Sequence, residues 1–289
     1  MKKLLAFLFI VFVYLVLFMV SIAVLPFSLA FKDMNTDGNP LSMLYLFISS
    51  LFICFSIYYL ASNTSWRGIR RVIGIVFVVF FVASFMTQIE TLFFGEAFPT
   101  LTKADVLFIA FAPIPSIIAA TLLSVTFFGE KEFALNKDID IKITTFIPKI
   151  LLIGLIYTVI YFLFGYFVAW QFEELRIFYS GTVENAGFIG QLMNNFHDNA
   201  IIYPFQFIRG VLFALGVLPL LYMLQRKKLV FITGVSLVYL CTAVVLIIPN
   251  PLFPDIVRWA HFIEMFFSML LFGVITGHIL YVPEPDSYS

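Results

Sequence analysis

The sequence is poor in charged residues. Only 12% of its 289 residues are Asp, Glu, Lys or Arg, about half of the 25% that is typical of soluble domains. This excludes an ordinary soluble enzyme, and it excludes a disordered chain, because disorder requires low hydrophobicity and high charge. The 17 basic and 17 acidic residues also balance to a net charge of zero. No excess of positive charge is present to attract nucleic acid, which we therefore exclude as a partner.

Cysteine and histidine are scarce as well, with 2 and 3 residues. Cys54 and Cys241 lie in apolar runs and form no C-x-x-C pair. We expect both to be small core residues rather than a disulfide framework, and a redox pair within the membrane is the alternative. The three histidines have no paired spacing, which argues against a histidine-rich metal site or a bis-haem site. The sequence identifies no cofactor.

Known catalytic motifs are missing too. The chain contains no G-x-S-x-G, H-E-x-x-H or P-loop motif. Glu173 and Glu174, followed by an Arg, are similar to the paired-glutamate signature of the intramembrane CAAX-type proteases, in which the Arg stands four residues after the second Glu. That position is Phe178 here and Arg176 comes too early. The signature is not met, no family is identified, and enzyme activity is neither predicted nor excluded.

Apolar sequence is abundant, at 62% of residues. A spanning helix needs about 20 mostly apolar residues. The runs predict an all-α fold, a polytopic transmembrane helix bundle of about eight spans that forms a single integral membrane domain over residues 1–289. The predicted spans are residues 4–31, 41–61, 72–89, 106–128, 144–171, 201–224, 229–248 and 259–281.

The first run resembles a secretory signal, with small residues at Ser28-Leu29-Ala30 as a cleavage site. Its apolar part is much longer than the about 7–15 residues of a signal sequence. We therefore favour an uncleaved first span over a removed signal.

Basic residues predict the orientation, because cytoplasmic loops of membrane proteins are enriched in Lys and Arg. Most of the 17 basic residues fall between alternate spans, which places both termini in the cytoplasm and favours the cytoplasmic (inner) membrane of a bacterium. The residues assigned to the inner side are Lys2, Lys3, Arg67, Arg70, Arg71, Lys131, Lys137, Lys142, Lys149, Arg226, Lys227 and Lys228. The outer side receives Lys32, Lys103, Arg176, Arg209 and Arg258.

Acidic residues gather on the opposite, outer side. They are Asp33, Asp37, Glu90, Glu96, Asp105, Glu173, Glu174, Glu184, Asp198, Asp255 and Glu264. Membrane insertion does not require this outer excess of acid, so we expect the functional residues there.

Span eight carries the sharpest signal. At about 100° per residue, His261, Glu264 and Ser268 share one helix face, with Arg258 at its edge. Ionisable residues within a span are costly and usually face protein or water rather than lipid. The pattern therefore predicts either a hydrogen-bonded pair that holds helices together or part of a ligand or proton-relay site.

Two other spans contribute polar residues to the outer half. Span three ends with Gln88 and Glu90, of which only one needs to face the bundle, and span six carries Gln206 and Arg209 three residues apart on one face. Arg209 requires a carboxylate partner, for which Glu264 and Glu90 are the candidates. The alternative is a clamp for a carboxylate, a phosphate or a lipid head group.

The longest outer loop, residues 172–200, is predicted to lie in the membrane interface and to begin with an amphipathic helix. Its polar residues form either a lid over the bundle or a solvated loop end. The lid candidates are Glu173, Glu174, Arg176, His197 and Asp198. A mixed metal site is a further alternative, and its ligands would be His261, Glu264, Glu90 and His197.

Several features predict local packing. Pro113 and Pro115 should kink span four, and Pro219 should kink span six. Gly273 and Gly277 permit a close helix approach. The 38 phenylalanines are expected to face lipid, with an aromatic-lined ligand tunnel as the alternative.

A Phe-Pro pair precedes a basic residue by the same spacing before spans four and eight. A weak 4+4 repeat of residues 1–143 and 144–289 would explain this match. The alternative is coincidence, because the two matching motifs are short. The motifs are Phe98-Pro99 with Lys103 and Phe253-Pro254 with Arg258.

Three functions fit these patterns. The first is transport of a small solute or ion, through an ionisable cavity open to the non-cytoplasmic side. The second is a lipid- or metal-dependent enzyme of the outer leaflet, and the third is a structural subunit of a membrane complex. Transport ranks first because bundles without catalytic motifs are commonly transporters. The expected partners are the lipid bilayer and either another membrane protein or a second copy of the chain.

Overall fold

A computed structural model describes residues 1–34, 40–129, 143–224, 227–250 and 252–282 of the chain. Five residues used in the sequence predictions lie outside the described residues. They are Asp37, Lys131, Lys137, Lys142 and Arg226.

The described chain is helical throughout, without a strand. Its helices are α1 (Lys2–Val24), α2 (Leu29–Met34), α3 (Ser42–Asn63), α4 (Gly68–Phe80), α5 (Met86–Phe93), α6 (Lys103–Phe111), α7 (Ile114–Phe128), α8 (Ile143–Phe167), α9 (Glu173–Ser180), α10 (Gly187–Asn199), α11 (Ile202–Met223), α12 (Lys228–Val244) and α13 (Asp255–Leu280). A π-helical turn, Phe81–Phe85, joins α4 to α5, and short 3₁₀ turns cover Gly95–Ala97, Ala169–Gln171 and Val245–Ile247.

Eight helical segments are long and apolar enough to cross a membrane, which confirms the predicted polytopic bundle. Spans one to eight are Lys2–Val24, Ser42–Asn63, Gly68–Phe93, Lys103–Phe128, Thr144–Gln171, Ile202–Met223, Lys228–Ile247 and Asp255–Leu280. Each overlaps its predicted counterpart. The protein is therefore an all-α integral membrane protein.

Proline explains where span one ends and where span four breaks. Span one ends at Val24 rather than near residue 31, because Pro26 disfavours helical backbone at the residue before it, and Leu25 is extended with ψ at 139°. Span four breaks between α6 and α7 at Pro113, as the sequence predicts. Pro219, by contrast, lies inside the continuous helix α11.

Glycines allow the helices around span seven to approach closely. A Cβ atom added to Gly273 would lie 2.7 Å from the Cα of Ser236, and one added to Gly277 would lie 2.9 Å from the Cα of Ile232. The predicted close approach of span eight is thus confirmed, and its partner is α12. Span seven is accordingly the most enclosed of the eight.

Both cysteines are buried free thiols, which confirms that they are core residues. The Sγ atom of Cys241 lies 3.3 Å from the Oγ atom of Ser56 in span two. The phenylalanines divide between two environments. Some project outward, such as Phe12 at 62% exposure, whereas Phe213 and Phe272 are fully buried in the bundle.

The segment between spans five and six folds into two short helices, α9 and α10. Gly181 ends α9 in the left-handed conformation with φ at 69°, which glycine adopts without steric cost. On α10, Ile189, Met193 and Phe196 are exposed and share one helix face. An apolar face of this kind is typical of a helix that lies in the membrane interface.

Candidate functional site

A buried ion pair joins spans three and six. The Nη2 atom of Arg209 lies 2.8 Å from the Oε2 atom of Glu90, and its Nη1 atom donates to the Oε1 atom of Gln206 at 2.9 Å. The Arg209 side chain is 1% exposed and that of Glu90 is 28% exposed. Of the two partners that the sequence offered for Arg209, the structure selects Glu90. Gln88 instead donates to the hydroxyl of Thr87.

Aromatic rings surround the Arg209 guanidinium. Its central carbon lies 5.6 Å from the ring centre of Tyr157, 5.8 Å from that of Phe205 and 5.9 Å from that of Phe213. The Nε atom of Arg209 and the Nε2 atom of Gln206 are buried without a hydrogen-bond partner. Buried donors of this kind cost free energy until an acceptor reaches them. The pocket therefore holds more donors than its own acceptors satisfy.

A second row of polar side chains runs from Tyr179 of α9 along span eight to Glu264. The hydroxyl of Tyr179 lies 2.9 Å from the Nε2 atom of His261, whose Nδ1 atom lies 3.8 Å from the Oε2 atom of Glu264. Glu264 is 7% exposed and His261 is 22% exposed at its side chain. Two residues of the predicted stripe on span eight, His261 and Glu264, thus line up with Tyr179 of α9, and each of the three groups is able to give or accept a proton.

The ion pair and the proton-bearing chain belong to one site. Glu264 interacts electrostatically with both Glu90 and Arg209. Outside the spans, burial raises the pKa of Tyr179 above its usual range, and the charges of Glu90 and Glu264 raise it further. Tyr161 of span five interacts with the same three charges. Arg209 is therefore paired with Glu90, and a second carboxylate, that of Glu264, lies within range of both charges at the same end of the bundle.

Four buried rings close this site towards the middle of the bundle. Phe213 lies one helical turn beyond Arg209 in α11, and Phe272 lies two turns beyond Glu264 in α13. Tyr157 has its ring centre 5.3 Å from that of Phe213 and 4.9 Å from that of Phe272, and Tyr239 stacks on Phe272 at 5.0 Å. All four are at most 4% exposed. We name these four residues the aromatic floor.

An aromatic cap covers the opposite side. Phe253 contacts the rings of Phe98, Phe178 and His261, with centres 5.2 to 5.9 Å apart. Phe98 and Phe253 come from the two Phe-Pro motifs of the predicted repeat, which itself stays a prediction. The cap holds His261 against Tyr179 and leaves only part of the imidazole exposed.

The charged lid candidates do not form this cap. Arg176 donates to the carbonyl oxygens of Trp170, Gln171 and Val183 and so fixes the fold of the loop. Glu173 and Glu174 are exposed on α9, and His197 and Asp198 are exposed on α10. Tyr179, which the sequence analysis did not select, is the loop residue that reaches the site. Its position three residues after Arg176, on the apolar face of an amphipathic helix, was the available signal.

Two other candidates on span eight have neighbours of their own. Arg258 donates to the carbonyl oxygens of Leu246 and Ile247 at 3.2 and 2.6 Å and to Asp255 at 2.9 Å. Ser268 donates to the carbonyl oxygen of Met265 at 3.4 Å, within its own helix. The described contacts thus direct Ser268 to backbone, and Arg258 to backbone and Asp255, rather than to the ion pair.

The metal candidates do not converge either. Within the described ranges, no three His, Cys, Asp or Glu side chains are close enough to hold a metal ion. His197 is exposed on α10, whereas His261, Glu264 and Glu90 belong to the buried site. The chemistry that the site offers is proton exchange and the binding of an anionic group by Arg209.

Comparison of the chain with protein-family models, with curated proteins and with solved structures finds no match.

Proposed function

We propose that the protein is a proton-coupled transporter of a small anionic solute, with Arg209 and Glu90 at the solute position. The observation that carries the proposal is the buried ion pair of Arg209 and Glu90, beside which a second carboxylate, that of Glu264, adjoins His261 and Tyr179. We further propose that both termini are cytoplasmic and that the site opens to the outer side of a bacterial cytoplasmic membrane. The partial exposure of Glu90 and His261 supports access from that side.

Coupling follows from charge balance. An anionic group that binds Arg209 displaces Glu90 and leaves this carboxylate without its cation. An ionised carboxylate in an apolar setting is costly, so it takes up a proton instead. Glu264, His261 and Tyr179 form the path by which that proton enters. Binding of the solute and of the proton therefore favour each other.

The aromatic floor gives this transporter its inner gate. The four rings separate the site from the other half of the bundle, so solute passes only when they move apart. Regular α-helix is already interrupted at Pro113 in span four and at the π-helical turn in span three. The two spans can bend at these points without losing further α-helical hydrogen bonds.

The burial of all four rings of the aromatic floor favours a second function. If these rings never move apart, the site has access from one side only, which suits an outer-leaflet enzyme or lipid-binding protein. Arg209 would then hold a phosphate or carboxylate while His261 moves a proton. Transport and one-sided binding differ in a single measurable property, the passage of solute across the membrane.

The test uses purified protein in liposomes with an inward proton gradient. The probes are radiolabelled lactate, succinate, glutamate and phosphate, and entrapped pyranine reports internal pH. We expect uptake of at least one probe with internal acidification. The variants Arg209→Gln and Glu264→Gln should each lower uptake at least about tenfold, whereas Glu184→Gln, an exposed loop glutamate, should leave it unchanged.

Absence of uptake for all four probes by the unaltered protein overturns the transport proposal. Unchanged uptake in both site variants, together with a lower melting temperature, assigns the ion pair a purely structural role. Binding of a probe without its passage across the membrane favours the one-sided function.

A further inference from the structure

A groove runs between α12 and α13 at the end of the bundle that lies opposite the ion pair. Its volume is 620 Å³. Leu237, Leu240, Leu270 and Val274 line it together with Leu229, Ile232, Thr233 and Ser236, and Lys228 and His278 lie at one end. The groove is therefore mostly apolar, with two hydroxyl residues, and basic at its mouth.

The groove lies beside the close contact of the two helices. Gly273 and Gly277 of α13 carry no side chains, so the α13 backbone approaches the Cα atoms of Ser236 and Ile232 of α12. Ser236 and Ile232 also line the groove.

Its length matches one leaflet of a bilayer. Lys228 and Leu240 are twelve residues apart on α12, which corresponds to about 18 Å at 1.5 Å per residue. The hydrocarbon core of a bilayer is about 30 Å thick, so one leaflet is about 15 Å deep. Lys228 begins span seven and His278 lies in the last turn of span eight. The basic mouth therefore lies at the level of lipid head groups.

The polar groups at the mouth select for negative charge. Lys228 is exposed and supplies an ammonium group. The Nδ1 atom of His278 donates to the carbonyl oxygen of Val274 at 2.9 Å, which holds the ring on the groove wall. No Asp or Glu is among the described residues that line the groove. Basic pockets between spanning helices bind the head groups of anionic lipids.

We propose that this groove binds one anionic glycerophospholipid of the surrounding membrane. The head-group phosphate lies against Lys228 and His278, and one acyl chain follows Leu237, Leu240, Leu270 and Val274. This site is separate from the ion pair and does not depend on the proposed transport.

Native mass spectrometry of the detergent-purified protein tests the proposal. The probe is an equimolar mixture of dioleoyl phosphatidylglycerol and dioleoyl phosphatidylcholine. We expect one phosphatidylglycerol to be retained per chain in preference to phosphatidylcholine. The double variant Lys228→Gln/His278→Gln should lower the ratio of the two retained lipids about fivefold or more. Val274→Trp, which fills the groove, should lower retention of both.

Lys3→Gln is the matched control, because Lys3 is an exposed lysine at the start of span one, away from α12 and α13. It should leave the lipid ratio unchanged. Equal retention of the two lipids by the unaltered protein overturns the proposal. An unchanged lipid ratio in the double variant also overturns it. A fall of the ratio in Lys3→Gln as large as in the double variant overturns it too, because general surface charge would then explain the preference. All three altered side chains at the mouth and in the control are exposed, so folding should be retained.

Discussion

Arg209 and Arg258 are both buried arginines, at 1% and 2% exposure, and both leave the Nε atom without a partner. Each also lies over aromatic rings. Their hydrogen-bond acceptors differ. Arg209 faces a carboxylate on another span, whereas Arg258 faces two carbonyl oxygens at the end of span seven and the exposed carboxylate of Asp255.

The acceptors decide what each arginine can do. A backbone carbonyl is neutral and does not titrate, so the bonds from Arg258 to Leu246 and Ile247 form a fixed link that satisfies the carbonyls where span seven ends. A carboxylate can take up a proton or yield its place to another anion. Arg209 therefore forms an exchangeable contact, and burial of an arginine alone does not indicate a binding site.

The largest expected effect comes from removing the carboxylate of the exchangeable pair. Glu90→Leu leaves the Arg209 cation buried without a counter-charge, and we expect a loss of about 3 kcal/mol in the free energy of unfolding. Thermal unfolding in detergent measures it, with a thiol-reactive dye that reports exposure of the buried Cys54 and Cys241.

The double variant Glu90→Leu/Arg209→Met should recover most of that loss, because it removes both charges. Glu96→Leu, at an exposed position near the same end of span three, should change stability by less than about 0.5 kcal/mol. A double variant as unstable as the single one would show that packing, and not the unpaired cation, causes the loss.

A smaller loss is expected at the fixed link. Arg258→Gln leaves the carbonyls of Leu246 and Ile247 with fewer donors, which should cost about 2 kcal/mol of unfolding free energy. Uptake per folded molecule should be unchanged in liposomes. Lys103→Gln, at the matching exposed position of span four, should affect neither property. Loss of uptake in folded Arg258→Gln would remove the distinction between the two arginines.

The smallest effect is expected at Tyr179. Tyr179→Phe removes the hydroxyl that contacts His261, at a cost of about 1 kcal/mol at neutral pH. Since the pKa of Tyr179 is raised in the folded protein, the unfolded chain loses this proton first, above about pH 10. The contribution is thus present below that pH and declines as the pH rises further.

Unfolding free energies from pH 8 to pH 11 should therefore fall more steeply for the unaltered protein than for Tyr179→Phe. Tyr222→Phe, at an exposed tyrosine, should keep the steep dependence. Equal slopes for the unaltered protein and Tyr179→Phe would contradict the burial of Tyr179 beside two carboxylates.

The spans could be predicted from the sequence because length and hydropathy alone define them, and only Pro26 shortened one by several residues. The residues of the site could be predicted in part. Glu90, Arg209, His261 and Glu264 are ionisable groups in apolar helices, which is a property of the sequence itself. Their pairing could not be predicted, since helix periodicity gives the face of each span but not its neighbour.

The aromatic residues of the site could not be predicted, because aromatic residues are abundant throughout the chain. With 38 phenylalanines and 13 tyrosines in the chain, nothing in the pattern distinguishes Tyr157 or Phe213 from rings that face lipid. The prediction for Arg258 met a different difficulty. Its buried charge suggests a ligand, but two of its three acceptors are backbone carbonyl oxygens, which no sequence pattern reveals.

The π-helical turn of span three determines which way Glu90 points. Here the backbone N–H of Met86 donates to the carbonyl oxygen of Phe81, one residue further back than in an α-helix. A Cβ atom added to Gly216 of span six would lie 2.6 Å from the Phe81 ring, so the turn fits against a glycine. One residue corresponds to about 100° of helix rotation. Deleting a single residue from this turn would restore regular helical phase and rotate the Glu90 carboxylate about a quarter of a circle away from Arg209, so the ion pair depends on one surplus residue as much as on its charges.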